Sequence, residues 1–176
     1  MSLIYITGIP GSGKTTIRNE LRSRGFTAYG TDEDDLAHFY NIATNEPITQ
    51  HVTARDRTPE WRLKHIWKVQ RTAVERLYEE ARTKPVFLCG VVSNDVTELW
   101  DLFDTVFALT INEETLRHRI VTRTNNDHGK NPHEFEELLN WQKTAERDYK
   151  KYGAVTIDAT RPLETVVNEI LAKARV

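Results

Sequence analysis

The chain has 176 residues, 24 Lys and Arg against 26 Asp and Glu for a net charge of −2, and one cysteine. This length suits one domain with its own core, the balanced charge supplies no basic field for nucleic acid, and a lone Cys89 excludes an internal disulfide or a cysteine-rich zinc site. No run approaches the roughly 18 apolar residues of a membrane span, and the chain enters a strand without a secretory apolar segment, so a cytoplasmic protein with no membrane partner, monomeric or a small homo-oligomer, is expected.

Leu3-Ile4-Tyr5-Ile6 reads as a short buried strand. Gly8-Ile9-Pro10-Gly11-Ser12-Gly13-Lys14-Thr15-Thr16 follows and fits G-x-x-x-x-G-K-[ST], a phosphate-binding loop. A di- or triphosphate must be wrapped by backbone N–H groups, so Gly8, Gly11 and Gly13 remove side chains and permit positive φ. Pro10, Ser12 and Thr16 complete the cradle. Lys14 is placed to reach the β- and γ-phosphates, and the Thr15 hydroxyl to ligate Mg²⁺. The segment from Thr16 to Leu21 has apolar residues four apart, so a helix should open here and turn its unpaired amides on the phosphates.

That helix should end near Arg24, with Gly25 just beyond it. Phe26-Thr27-Ala28-Tyr29 reads as a second strand, and its end, Gly30-Thr31-Asp32-Glu33-Asp34-Asp35, is an acid cluster. Ligands of open α/β sheets bind at strand carboxyl ends. Asp32, with Asp34 second, is therefore a candidate to accept a proton from an acceptor hydroxyl and to hold Mg²⁺ through water. Thr31 capping a helix that starts at Asp32 is the competing structural reading. Leu36 to Ala43 suggests a short helix. Thr58-Pro59 opens what reads as one long helix to about Arg82, on the period of Leu63, Ile66, Trp67, Ala73, Val74, Leu77 and Ala81. The connection, about residues 32–83, is longer than one crossover helix needs, so it is the expected acceptor-binding insertion. Arg55, Arg57 and Trp61 are its candidates for an anionic or ring-bearing acceptor.

Pro85–Gly90 is a continuously apolar third strand. Its terminus carries no acid, which argues for transfer to an acceptor rather than for committed hydrolysis. Gly90 would let an acceptor approach the backbone, and Asn94 would orient a ligand or cap a helix holding Leu99 and Trp100. Thr105–Ile111 is the fourth strand, and Asn112 can cap the next helix. There Glu113 lies four residues before Arg117, a surface pair, whereas Arg119 and Arg123 have no acid four residues before them. Those two arginines are candidates to neutralise charge on a transferring phosphoryl group. Thr124 to Lys130 has the length and polarity of a lid, spanning about 119–131 with its flanks. His128 and His133 suggest no metal site. Asn131-Pro132 should start a helix with Glu134 in its first turn. A fifth strand, Ala154–Ile157, leads to a turn where Arg161 is the candidate contact for the base of a nucleotide, and then to a final amphipathic helix. Strands alternating with helices predict a three-layer α/β domain with a mainly parallel five-stranded sheet, one domain over 1–176.

The loop spelling at 8–16, the Asp32-x-Asp34 pair, Gly90, the Arg119/Arg123 region and Asp158-Ala159-Thr160-x-Pro162 together resemble the small P-loop kinases of the shikimate, gluconate and adenylate kinase type, over nearly the whole chain. The segment at 123–130 is similar to the lid of uncharacterised kinase-like ATP-binding proteins. This resemblance implies a P-loop NTPase fold with sheet order 2-3-1-4-5 and ATP·Mg²⁺ as donor. It implies an ATP-dependent phosphotransferase acting on a small-molecule acceptor, with a nucleoside or nucleotide kinase as the alternative. A nucleotide-binding switch or accessory ATPase is the alternative from another class. The chain departs from the pattern in two places: it has no glycine run after the third strand, as in shikimate kinases, and no Gly-Phe-Pro-Arg segment, as in adenylate kinases. Both departures fall on the acceptor side.

Overall fold

Alternation within buried strands organises the molecule. In the computed structural model, which describes residues 2–53, 55–124 and 128–176, β1 (Leu3–Thr7) is buried at every position. It lies parallel between β5 (Val86–Cys89) and β6 (Thr105–Thr110), with Ile4 opposite Phe87 and Thr105. β2 (Thr27–Gly30) extends the sheet beyond β5, and β7 (Val155–Asp158) beyond β6. The order β2-β5-β1-β6-β7 is 2-3-1-4-5 when only strands of this sheet are counted. Successive side chains point to opposite faces. Ile4, Ile6, Phe87, Phe107 and Leu109 therefore pack with Ile17 and Leu21 of α1 (Lys14–Ser23) and with Val166, Val167 and Ile170 of α6 (Leu163–Ala174). Leu3, Tyr5, Val86, Leu88 and Val106 pack on the other face with Val74 and Leu77 of α3 (Arg71–Glu80) and with Tyr149 of α5 (Pro132–Lys150). The result is a three-layer α/β sandwich, and among the described residues no helix is long and apolar enough to cross a membrane.

Local signals held at most helix ends. Gly25 takes φ 86° after the C-cap Arg24. The side chain of Asn112 accepts a hydrogen bond from the Thr115 amide at 2.8 Å to start α4 (Glu113–Thr122), and Asn131 does the same for Glu134, also 2.8 Å.

The insertion differs from its sequence reading. No long helix follows Thr58. Thr58 does cap a helix, α2, but it is a single turn, Pro59–Arg62. The chain then forms β4 (His65–Val69), antiparallel to β3 (Ala37–Asn41), where a short helix was expected. Leu63, the start of the supposed helical period, is 80% exposed. Cross-strand packing decided the outcome. Phe39 sits opposite Trp67 with ring centroids 4.7 Å apart, while Ala37 and Val69 bury together. The helix at Asp32 that the competing reading called for is also absent. Residues 31–35 form a turn in which the Thr31 carbonyl accepts the amides of Leu36 and Ala37. Likewise Asp95–Leu99 and Trp100–Leu102 are two short turns, π and 3-10 in type, without a side-chain cap from Asn94.

Candidate active site

The phosphate loop joins β1 to α1, and its backbone leaves no room for side chains at two points. A Cβ on Gly8, at φ 145°, would come 2.8 Å from the Leu109 carbonyl oxygen. One on Gly11, at φ 89°, would press on Leu116 and Ile120 at 3.2 Å. Gly13 caps α1 with a left-handed backbone and no side chain, and the first turn of α1 holds no acid. The amides and positive dipole end there are left for an anion. Lys14 Nζ donates to the carbonyls of Gly8 at 2.6 Å and Ile9 at 2.9 Å, occupying the cradle with its own positive charge. Burial, with Arg123 adding and Asp32 opposing, lowers its pKa from an ordinary 10.5 to about 8.

The loop opens into a cleft of about 1030 Å³. Pro10 to Thr16, Asp32, Gly90, Arg57, Arg119, Arg123 and Arg161 all line it. Asp32 accepts from the Thr31 hydroxyl at 2.8 Å. It is exposed to the cleft, yet the protein enclosing it pushes its carboxyl up, against the pull of Thr31, Lys14 and Trp67. A carboxylate of raised pKa within reach of a phosphate loop can serve as a general base. Thr15, in the first turn of α1, and Asp32 are the residues that could share a hydrated Mg²⁺. Among the described residues no cluster of three or more His, Cys, Asp or Glu suits a metal without such water.

Arg119 and Arg123 do not share a helical face, because α4 ends at Thr122 and Arg123 is extended at ψ 144°. Arg119 donates to the carbonyls of Ser12 at 3.0 Å, Gly11 at 3.4 Å and Ala159 at 2.8 Å, tying the phosphate loop to the turn after β7. Arg123 donates to the His128 carbonyl from the cleft wall. The middle of the expected lid, residues 125–127, lies outside the described residues. Arg161 binds the Asp158 carbonyl at 3.0 Å and pairs with Glu169, which holds it at the cleft edge.

The acceptor-side candidates take different places and partners in the structure. Asp34 turns away from the cleft: it accepts from the Gly30 amide at 2.7 Å and pairs with Arg22 at 2.9 Å and Arg18 at 3.3 Å. Burial would raise its carboxyl, but these partners outweigh burial and hold it below the usual range. Asn94 is buried, and its amide binds both the N–H and the carbonyl of Val69, at 3.3 and 2.9 Å, standing in for a strand neighbour at the end of β4. Gly90 lines the cleft and packs closely on Thr31, since a Cβ there would meet the Thr31 hydroxyl oxygen at 2.1 Å. Arg55 is exposed and does not line the cleft. Arg57 does, but it pairs with Glu134 at 3.1 Å.

The sequence reading missed two groups. The first is an aromatic wall of Phe39, His65 and Trp67 on β3 and β4, whose signal was the alternation in His65–Val69. The second is Asp95, beyond a strand end that seemed to lack an acid. Its carboxylate lies at the cleft floor and accepts from Tyr149 at 3.1 Å and Tyr5 at 3.4 Å. Burial raises its pKa against those hydrogen bonds. No local pattern could reveal it, since the Asp95 loop meets Tyr5 and Tyr149 only in the folded chain.

A family model described as AAA domain matches residues 4–142. No curated protein matches the chain. Among solved structures, a shikimate kinase from Acinetobacter baumannii in complex with shikimate is similar, with 17% identity, a TM-score of 0.61, and coverage of 99% of this chain and 93% of that one. A deoxyadenosine kinase from M. mycoides with bound dATP gives 16% identity, a TM-score of 0.58 and full coverage of both chains, 100% each. A sugar kinase from Janibacter sp. HTCC2649 gives 18% identity and a TM-score of 0.59, covering 100% of this chain and 95% of that one. The chain belongs to the AAA domain family, and its fold is that of the small P-loop kinases of the shikimate and adenylate kinase type.

Proposed function

We propose that the protein is a phosphotransferase that moves the γ-phosphate of ATP·Mg²⁺ to a hydroxyl of a small-molecule acceptor. The observation that carries this reading is one shared cavity: the phosphate loop with Lys14 and the carboxylate of Asp32 open into the same cleft. Asp32 positions the acceptor hydroxyl and takes its proton. Lys14 binds the β- and γ-phosphate oxygens, and Arg119 and Arg123, on the cleft wall, balance charge as the phosphoryl group transfers. Thr15 and, through water, Asp32 would hold Mg²⁺, which supplies charge neutralisation on the phosphate oxygens. Arg161 borders the place of the nucleotide base. The structural relatives, acting on shikimate, deoxyadenosine or a sugar by their descriptions, support a small acceptor of this general kind.

Labelled γ-phosphate should move from ATP into a pool of nucleosides, nucleotides, sugars and hydroxy acids, and Asp32→Asn should stop it. Label released as free phosphate without any acceptor would overturn the reading. Asp95 is the observation that favours this second outcome, since it puts a further carboxylate at the cleft floor. Its engagement by two tyrosines weighs against a water-activating role.

A further inference from the structure

The cleft, at about 1030 Å³, stands at the upper end of the roughly 300–1,000 Å³ typical of single small-molecule sites. Its two ends differ in chemistry. The phosphate end carries Lys14, Arg119 and Arg123. The far end is the antiparallel ribbon, with Phe39, Trp67 and His65 facing the cavity. Phe39 and Trp67 are cross-strand neighbours, their rings tilted 60° at 4.7 Å. Trp67 and Asp32 line the same cleft, and the Trp67 side chain favours the ionised carboxylate, so the aromatic wall and the candidate base are neighbours. A reacting hydroxyl at Asp32 therefore shares the cleft with aromatic ring surface.

Charge at the far end is cancelled. Arg57 pairs with Glu134, which is 3% exposed, and Arg62 pairs with Glu134 and Glu137. His128 pairs with Glu134 as well, and burial holds the ring's pKa below its ordinary value despite that partner. Among the described residues, two arginines thus face two glutamates. The His65 ring is also engaged, with Nδ1 2.7 Å from the Trp61 carbonyl oxygen. A carboxylate or phosphate on the acceptor would have to compete with the buried Arg57–Glu134 ion pair, and the ring faces of Phe39 and Trp67 favour a ring over an aliphatic acceptor. A flat, uncharged heterocycle fits both constraints.

We infer that the acceptor is an uncharged nucleoside, its base against Phe39 and Trp67 and a ribose hydroxyl at Asp32. This inference rests on the phosphotransferase reading above for what happens to the hydroxyl, but not for the binding itself. On transfer, the hydroxyl proton goes to Asp32, the ribose oxygen bonds to the γ-phosphorus, and the β–γ bridging oxygen leaves with ADP.

Two measurements separate the two ideas. The first is titration of the protein, loaded with a non-hydrolysable ATP analogue, with four nucleosides, their 5′-monophosphates, shikimate and glucose, followed by calorimetry and tryptophan fluorescence. At least one nucleoside should bind about tenfold or more tighter than its monophosphate, shikimate or glucose. Phe39→Leu and Trp67→Leu should each weaken it about tenfold, as loss of a base-stacking ring does elsewhere, and Trp67→Phe should recover most of that loss. Absence of nucleoside binding at millimolar concentration, or tighter binding of an anionic acceptor or a sugar, overturns the inference even if every variant misfolds. The second measurement is label transfer from ATP. Transfer to a sugar or hydroxy acid without nucleoside binding overturns the nucleoside assignment and leaves the phosphotransferase standing. Nucleoside binding with no transfer supports the pocket and overturns the phosphotransferase.

Discussion

The two ends of the cleft are built in opposite ways. The phosphate end comes from one uninterrupted segment, residues 8–16, and works mostly through backbone: glycine geometry, unpaired helix amides and one lysine. The acceptor end is assembled from the turn at 31–33, from β3 and β4, and from the start of α5, and works through side chains. Backbone chemistry tolerates drift in the surrounding sequence, because an amide is the same in every residue. Side-chain recognition does not, so within one fold the acceptor end is where specificity can change.

The sharpest test of this division is Asp32→Asn. Removing the general base should slow transfer by roughly 10²–10⁴-fold, while ATP affinity stays within a few-fold by equilibrium titration. Equal losses in both would erase the distinction between the two ends. Lys14→Met should instead weaken ATP binding and transfer together, the rate by roughly 10²–10³-fold. Single-turnover kinetics alongside direct ATP titration would show whether the two fall in step.

Asp34→Ala and Asn94→Ala should act through stability. Each leaves buried or half-buried polar partners unmet, the arginines and Gly30 amide for Asp34, the Val69 peptide groups for Asn94. A loss of about 1–3 kcal/mol in urea unfolding is expected for each, with transfer retained by the folded protein. Loss of transfer at undiminished stability would return either residue to the acceptor site.

The smallest effect concerns protons. Lys14 in the free protein titrates at about 8, and bound phosphates must raise that value by favouring the ammonium form. ATP affinity should then fall as pH rises above 8, by up to about tenfold per unit, and binding near pH 8.5 should take up a proton. Calorimetry in two buffers of different ionisation enthalpy reads that uptake, and its absence would mean that Lys14 is charged in both states. At the other end of the range, Asp32 must be ionised to act, so transfer should fail as pH drops through its raised pKa, above the ordinary 3.8.

What the sequence could reveal follows the range over which each feature is decided. The phosphate loop, the caps at Thr58, Asn112 and Asn131, Gly25 after α1, and the five strands of the parallel sheet were legible because each is set within a few residues by glycine conformation, side-chain capping or an apolar run. Capping told where α2 starts but not where it ends: Thr58 and Pro59 are in place, yet the helix stops after one turn because residues 65–69 pair with 37–41. The helical and strand patterns of Ile66 and Trp67 were both satisfiable locally, and the partner strand lies about 28 residues upstream in the chain.

By itself the sequence determined a mainly parallel α/β sheet and its glycine-rich P-loop, since both follow from local backbone chemistry. Tertiary structure alone decided which acids and arginines are free to act. It locked Asp34 between Arg18 and Arg22, spent Asn94 on the Val69 backbone, gave the space above Gly90 to Thr31, and carried Asp95 and Trp67 into the cleft. Charge and hydrogen-bond partners come from segments distant in the chain, so the role of each such side chain is settled only when the whole chain is packed.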